Sequence, residues 1–231
     1  MDELATLTSW DLRDRPMCGE QLRRRLDGVT GQYIVTQRFQ VASRLFGDIA
    51  LAHSELRCAT TADFPTPNEL FAEQQHVYRA AANGYLALFG SVEAVALDPP
   101  RSRSFPEHGI EFRAPKPLVV ELADGATQIR TLQLRSGVPT LNDATIMSFA
   151  LVWHDTFTAS SIEYVVADLL ALEVRTAMID LSELRERAES WFEERLEHVR
   201  SVAAESRPVT GADCADCRYI WNCPPHVASR R

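Results

Sequence analysis

Residues 116–137 read KPLVVELADGATQIRTLQLRSG, and their reading decides the fold. The two halves, PLVVEL and TQIRTLQL, are short, rich in β-branched residues and partly alternating, which predicts strands. Asp124-Gly125 between them predicts a tight turn that folds one strand back on the other. On the N-terminal side, SVEAVALD and GIEFRA share this texture and extend the meander. On the C-terminal side, NDATIMSFALVWHD predicts a helix, and SIEYVVAD with ALEVRTAMI a further strand pair.

Further from the hairpin the pattern is helical. MCGEQLRRRLDG predicts a short helix ending at Gly28. RFQVASRLFGDIALAHSELR carries Ala42, Leu45, Phe46, Ile49, Ala50, His53 and Leu56 at helical spacing. TPNELFAEQQHVYRAAANGYLALFG opens with a capping box from Thr66 to Glu69, with Pro67 at the first helical position. LSELRERAESWFEERLEHVRSVAAES predicts a long amphipathic helix begun by Asp180, with Leu184, Ala188, Trp191, Val199 and Val202 on its apolar side. The proline-rich LDPPRSRSFPEHG predicts a loop. The expectation is one α/β domain over 1–231, with a mainly helical part at 1–90, a sheet core at 91–180, and a C-terminal helix and cysteine cluster at 181–231.

Composition narrows the function classes. A hydrophobic fraction of 45% is ample for a packed core, and no run approaches the roughly 20 apolar residues that span a bilayer. The acidic start MDELATLTSWDLRDRP lacks the basic-then-apolar progression of a signal peptide. Five cysteines, three of them bunched, do not read as a secreted disulfide framework, so a reducing cytoplasm is expected. The net charge of −8 argues against broad attraction to nucleic acid. Lys116 is the sole lysine, so positive charge is almost all arginine. Arg23 to Arg25 read as a solvated helix face sooner than as a phosphate contact. There is no Gly-rich phosphate loop, and no nucleophile stands beside a readable base signature.

The bunched cysteines lie in CADCRYIWNC, where Cys214, Cys217 and Cys223 are spaced C-x2-C-x5-C. Thiolates bind zinc or iron–sulfur clusters, and closed structural sites of both kinds want four protein ligands. The fourth candidates are Cys18, Cys58 and a histidine such as His226. A lone distant cysteine with a triplet, and no second pair, leans towards iron–sulfur, with zinc as the alternative. Cys58 follows an amphipathic helix, where a cysteine acts as a small apolar residue. Cys18 follows Pro16 at a helix start, where partial positive charge favours thiolate, so Cys18 is the better fourth ligand.

W-x7-C-x3-L-x3-L-x-G over Trp10–Gly28, the central β-meander and the terminal C-x2-C-x5-C together resemble the iron–sulfur branch of the PD-(D/E)xK nuclease superfamily. Relatives include the RecB-like exonucleases of CRISPR adaptation and the nuclease domains of AddAB-type helicase–nucleases. The resemblance implies a restriction-endonuclease-like core with a central mixed sheet flanked by helices. It implies a [4Fe-4S] cluster on Cys18, Cys214, Cys217 and Cys223 that clasps the ends of the domain together. It also implies an active site made of an Asp at one strand end and Asp/Glu-x-Lys on the next strand, which hold Mg²⁺ to activate water.

That site is degenerate here. The aspartate position falls at or near Pro117, and the triplet is Gln133-Leu134-Arg135. The helical histidine position, counted from Gly47, falls near Leu51, with His53 two residues off. The family's Q-x3-Y becomes Thr145-x3-Phe149. The expected function is a non-catalytic nuclease-fold protein, DNA-binding or an adaptor in a DNA-processing complex, with Arg113, Arg130 and Arg135 as candidate phosphate or partner contacts. The competing reading of those arginines is strand-face pairing with Glu111 or Glu121. Two other readings stand beside it. One is an Mg²⁺- or Mn²⁺-dependent deoxyribonuclease rebuilt from Glu121, Asp124, Glu111 or His53. The other is a redox sensor in which the cluster is the signal.

Overall fold

Leu118–Leu122 and Thr127–Gln133 pair antiparallel, Leu118 opposite Arg130 and Glu121 opposite Thr127. Gly125 turns the corner at φ 83°, a left-handed conformation that glycine adopts without steric cost. The Asp124 carboxylate accepts from the Ala126 amide at 3.0 Å, and the Leu122 amide donates to the Ala126 carbonyl at 2.9 Å. The tight hairpin expected from Asp124-Gly125 is the one formed.

The computed structural model describes residues 4–8, 11–12, 18–28, 37–96, 101–114, 117–134, 141, 143–157, 161–205 and 223, with backbone alone at 37–39, 143 and 154. In chain order the elements are β1 (Ala5–Thr8), α1 (Gly19–Leu26), α2 (Gln37–Ala52), β2 (Arg57–Cys58), α3 (Ala72–Phe89), β3 (Val92–Ala96), β4 (Ser102–Phe105) and β5 (Ile110–Arg113). There follow β6 (Leu118–Leu122), β7 (Thr127–Gln133), α4 (Asp143–Trp153), β8 (Ser161–Asp168), β9 (Glu173–Asp180) and α5 (Leu181–Glu205). The chain is α/β, with mixed sheets flanked by helices. Among the described residues no helix is long and apolar enough to cross a membrane.

The larger sheet has the order β2-β3-β6-β7-β8-β9. All its neighbours are antiparallel except β7 and β8, which run parallel. A parallel step needs a long crossover, and α4 is that crossover. One face of the sheet is covered by α2 and α3, where Leu45, Ile49, Tyr78 and Tyr85 meet Val120 and Val165. The other face meets α4 and α5, with Ile129 and Tyr164 against Trp153 and Phe192. Accordingly β8 is apolar on both sides, and Met147 to Leu151 of α4 are buried without interruption.

The second sheet was not foreseen. It is three-stranded, ordered β1-β5-β4, with β1 parallel to β5 and β4 antiparallel to it. Ser102–Phe105 therefore forms a strand where a loop was expected, and the mainly helical N-terminal part begins with a strand. Both segments are four residues long, so a partner strand rather than internal periodicity makes them β. Phe105 stacks on Phe192 with ring centroids 4.1 Å apart, and Phe112 meets the same ring edge-on at 5.6 Å. Polar ties run beside them, Arg103 to Glu189 at 2.7 Å and His108 to Glu193 at 2.8 Å.

Helix starts follow local hydrogen bonding more closely than the expected boundaries. Asp180 begins α5, its Oδ1 accepting from the Ser182 amide at 2.9 Å and hydroxyl at 2.7 Å, which holds its carboxyl below the usual range. The buried stripe is Leu181, Leu184, Ala188, Phe192, Leu196, Val199 and Ala203; Trp191 and Val202 flank it. α3 begins at Ala72, not at Pro67. The Phe71 amide donates to Gln74 Oε1 at 2.9 Å, while Glu69 is drawn to Arg44 at 3.0 Å. α2 ends at Ala52, leaving Leu56 half exposed beyond it.

Gly84 fixes the distance between α3 and the β8–β9 turn. A Cβ there would sit 1.9 Å from the Leu169 carbonyl oxygen, and backbone cannot yield as a side chain can. Gly84→Ala is expected to lower unfolding stability by about 1–3 kcal/mol in urea denaturation. Gly47→Ala on the exposed side of α2, where a Cβ would have nothing within 4 Å, is expected to raise it by about 0.5–1 kcal/mol.

Candidate functional site

Pro117 immediately precedes β6 and Gln133 ends β7, so the antiparallel pairing brings the two residues to the same end of the larger sheet. Pro117 is buried and Gln133 half-buried. Across the parallel step Gln133 stands opposite Asp168, and its carbonyl accepts from the Leu169 amide at 3.0 Å. Asp168 is fully buried, and its Oδ1 accepts from the amides of Leu170 at 3.0 Å and Ala171 at 3.1 Å. This carboxylate shapes the β8–β9 turn. Nearby, Thr131 Oγ1 and the Tyr164 hydroxyl are 2.8 Å apart, and Phe149 packs edge-on to Tyr164 at 5.3 Å. Burial pushes the Tyr164 hydroxyl up to about 12. The triplet's last member, Arg135, lies outside the described residues.

The helix position assigned to the family's histidine behaves differently from its neighbour. Leu51 is 73% exposed on the outer side of α2, whereas His53 is fully buried against the sheet. His53 Nδ1 lies 3.0 Å from the carbonyls of both Arg57 and Glu93, and since carbonyls only accept, Nδ1 carries a proton. Its Nε2 is 3.7 Å from Glu93 Oε1.

Glu93 is the centre of a buried polar cluster that the sequence reading missed. Its Oε1 accepts from the Tyr85 hydroxyl at 2.6 Å and from Arg130 Nη1 at 2.7 Å. Arg130 also donates from Nε and Nη2 to Gln128 Oε1, at 3.0 and 2.8 Å, and its guanidinium lies 4.1 Å above the Phe89 ring. Arg130 is 3% exposed, so its expected role as a phosphate or partner contact gives way to a structural one. Burial, then the Glu93 charge, pushes the Tyr85 hydroxyl well above the ordinary phenol range. Among the described residues His53 Nε2 and Glu93 Oε2 have no hydrogen-bond partner. A signal was there to find: Glu93 shares strand parity with Val95, which puts a carboxylate on a core face.

The remaining acids stand apart from Pro117 and Gln133. Glu121 and Asp124 are exposed at the turn end of the hairpin, the opposite end of β6. Glu111 on β5 accepts from Ser102 Oγ at 2.6 Å and from Arg113 at 2.8 Å, and these bonds hold its carboxyl below the usual range. Arg113, the second candidate contact, is thus exposed and engaged on its own strand face. In α1, Arg23 and Arg24 pair with Glu20, and Arg25 with Asp11.

Cys18 caps the start of α1, half-buried with a free thiol. α1 packs along α5, with Leu22 sharing a core with Leu196, Val199 and Ala203. The helix that starts at Cys18 therefore rests on the helix whose chain runs on to the cysteine triplet. Cys223 is buried, and Cys58 is exposed on β2 at the sheet margin. Cys214, Cys217 and His226 lie outside the described residues. Among those described, no three His, Cys, Asp or Glu side chains are grouped to hold a metal ion.

No protein-family model and no curated protein matches the chain. A solved structure described as "Crystal structure of SSO0001" is similar over 98% of this chain and 89% of its own, at 13% identity and a TM-score of 0.35. That likeness is too slight to bear on function.

Two outcomes follow from the buried groups. Glu93→Ala strands Arg130 in the core and is expected to lower stability by about 3–5 kcal/mol; Glu93→Leu with Arg130→Met is expected to recover most of it. Tyr164, Tyr78 and Tyr85 all have raised hydroxyls. Below about pH 10 these phenols are neutral in both folded and unfolded chains. As pH rises further, the unfolded chain ionises first and stability falls. Spectrophotometric titration is expected to show at least three of the five tyrosines ionising only together with unfolding.

Proposed function

We propose that this chain is a non-cutting relative of the iron–sulfur PD-(D/E)xK nucleases, held shut by a [4Fe-4S] cluster and acting as an adaptor or regulatory subunit of a DNA-processing complex in a reducing cytoplasm. The observation that carries it is the β6–β7 pair, which brings Pro117 and Gln133 to one sheet end with no carboxylate on either. Proline offers a metal nothing, and an amide oxygen is a poor exchange for a charged ligand. Asp168, opposite Gln133, has Oδ1 committed to turn amides. Glu121 and Asp124 lie at the far end of the hairpin, which gives no support to a site rebuilt there.

The packing of α1 on α5 supports the clasp. Cys18, Cys214, Cys217 and Cys223 would hold the cluster as thiolates. Its chemistry there is structural: metal–thiolate binding supplies folding energy that joins the two ends of the chain. The half-buried Cys18 and buried Cys223 fit that role better than exposed Cys58 does. DNA binding remains part of the proposal through Arg113 and Arg135, but the net charge of −8 and the internal pairing of Arg113 favour an adaptor's protein partner over a phosphate backbone.

Anaerobic purification with iron and sulfide assays is expected to give a coloured protein. Cys→Ser at 18, 214, 217 or 223 is expected to remove iron and the visible absorbance, and Cys58→Ser to keep both. Stoichiometric zinc in a colourless protein would replace the cluster with a zinc clasp. Reversible cluster loss without unfolding would favour a sensor. Linear and single-stranded DNA should survive incubation with Mg²⁺ or Mn²⁺; cleavage abolished by Glu121→Ala or Asp124→Ala would sink the non-cutting reading.

A further inference from the structure

α2 and the segment that leads into α3 line a cleft of about 590 Å³, a size that suits a small ligand. Its described lining includes Gly47, Arg44, Asp48, Glu69, Leu70 and Phe71. Asp48 is only 7% exposed, yet its carboxylate is half satisfied. The Oδ2 atom accepts from Arg44 Nε at 2.9 Å and from the Tyr78 hydroxyl at 2.5 Å. Its Oδ1 has no hydrogen-bond partner among the described residues. Asp11 and Glu93 also keep a spare carboxylate oxygen, but those atoms are sealed in the core. The spare oxygen of Asp48 is not sealed, and Asp48 lines the cleft. Arg44 does not neutralise both acids around it. Its Nη1 donates to Glu69 Oε1 at 3.0 Å, and Glu69 Oε2 is left without a partner among the described residues.

Charge and shape select the occupant. In the described lining one guanidinium stands against two carboxylates, within a chain of −8, so the cleft disfavours anions. Gln74 is spent at both ends, donating to Gln40 Oε1 at 2.6 Å and accepting from the Phe71 amide at 2.9 Å. Two spare carboxylate oxygens call for N–H donors that carry positive charge. A calcium ion takes six or more oxygens, and among the described residues no three His, Cys, Asp or Glu side chains are grouped to hold a metal. Phe71, 73% exposed, adds an aromatic face that attracts a cation. Gly47 leaves room, since a Cβ there would have nothing within 4 Å. We propose that this cleft binds an organic cation, a primary ammonium or guanidinium on an alkyl stem, with its charged head on Asp48 and Glu69 and its stem along Leu70 and Phe71. A free amine and a lysine or arginine side chain of a partner protein both carry this chemistry. The site is built from α2 and the start of α3 and stands whether or not the cysteines hold a cluster.

Isothermal titration calorimetry on the full-length chain, purified anaerobically, tests it with agmatine, cadaverine, an end-capped Gly-Arg-Gly peptide, glutarate and Ca²⁺. The expected result is one saturable site for the organic cations, weakened by added salt, and none for glutarate or Ca²⁺. Asp48→Asn is expected to weaken agmatine about tenfold or more, and Phe71→Ala about two- to fivefold. Gly47→Leu sets a side chain into the cleft and is expected to abolish binding. Its urea midpoint is expected to stay at or above that of the parent chain, so that lost binding is not lost folding. Tighter binding of the peptide assigns the cation to a partner protein, tighter binding of agmatine or cadaverine to a free amine, and either upholds the site. No saturable binding of any organic cation, equal binding of glutarate, Ca²⁺ that displaces agmatine, or affinity indifferent to Asp48→Asn and Gly47→Leu would each overturn the proposal.

Discussion

A parallel pair of strands cannot be closed by a tight turn, and the one parallel step in the larger sheet, β7 to β8, organises the elements around it. The chain must cross the sheet between them, and α4 is what crosses. Because α4 lies between the sheet and α5, it is apolar nearly all round. Because both sheet faces are then covered, β8 is apolar on both sides. The two cores share this strand: Ile162, Tyr164 and Val166 serve one, Val165 and Ala167 the other. The same step lines up Gln133 with Asp168 and ties the strand ends through the Leu169 amide.

Charge inside this frame is handled by local pairing. Glu93 Oε1 is held by Tyr85 and Arg130 while its Oε2 has no hydrogen-bond partner among the described residues, and Asp168 Oδ1 is held by turn amides. A buried ion pair such as Glu93–Arg130 adds little net stability, since desolvation offsets most of the attraction, but losing one partner is costly. The pair bridges β3 and β7 across the intervening β6. It also removes from the surface an arginine that sequence alone marked as a contact.

The parts legible in the sequence were those with a long or repeated local signal. The hairpin was readable because alternation on both sides flanked Asp-Gly, and α5 because its apolar spacing persisted over 25 residues. Leu184, Ala188 and Val199 were placed correctly on its stripe, while Trp191 and Val202 only flank it and Phe192 is central, since an indole at the flank counts as apolar by type but is only partly covered. β1 and β4 escaped because four residues carry no period of their own. The cap of α3 moved because Gln74 competes for the same role as Glu69, and Arg44 on another helix decides between them. Leu51 was assigned by counting along the chain, and helical geometry turns it outward while bringing His53 in. Glu93 was invisible as a centre because its partners, Tyr85 and Arg130, come from separate elements.

The junction between β9 and α5 has no connecting residue: the strand ends at Asp180 and the helix begins at Leu181. A helix of 25 residues is about 37 Å long, and this one is bedded along its length against α1 and α4. Tilting β9 by about 10° as a rigid extension would sweep the far end of such a lever by about 6 Å, which that bedding resists. The twist of the outermost strand is therefore set by contacts on the other side of the molecule.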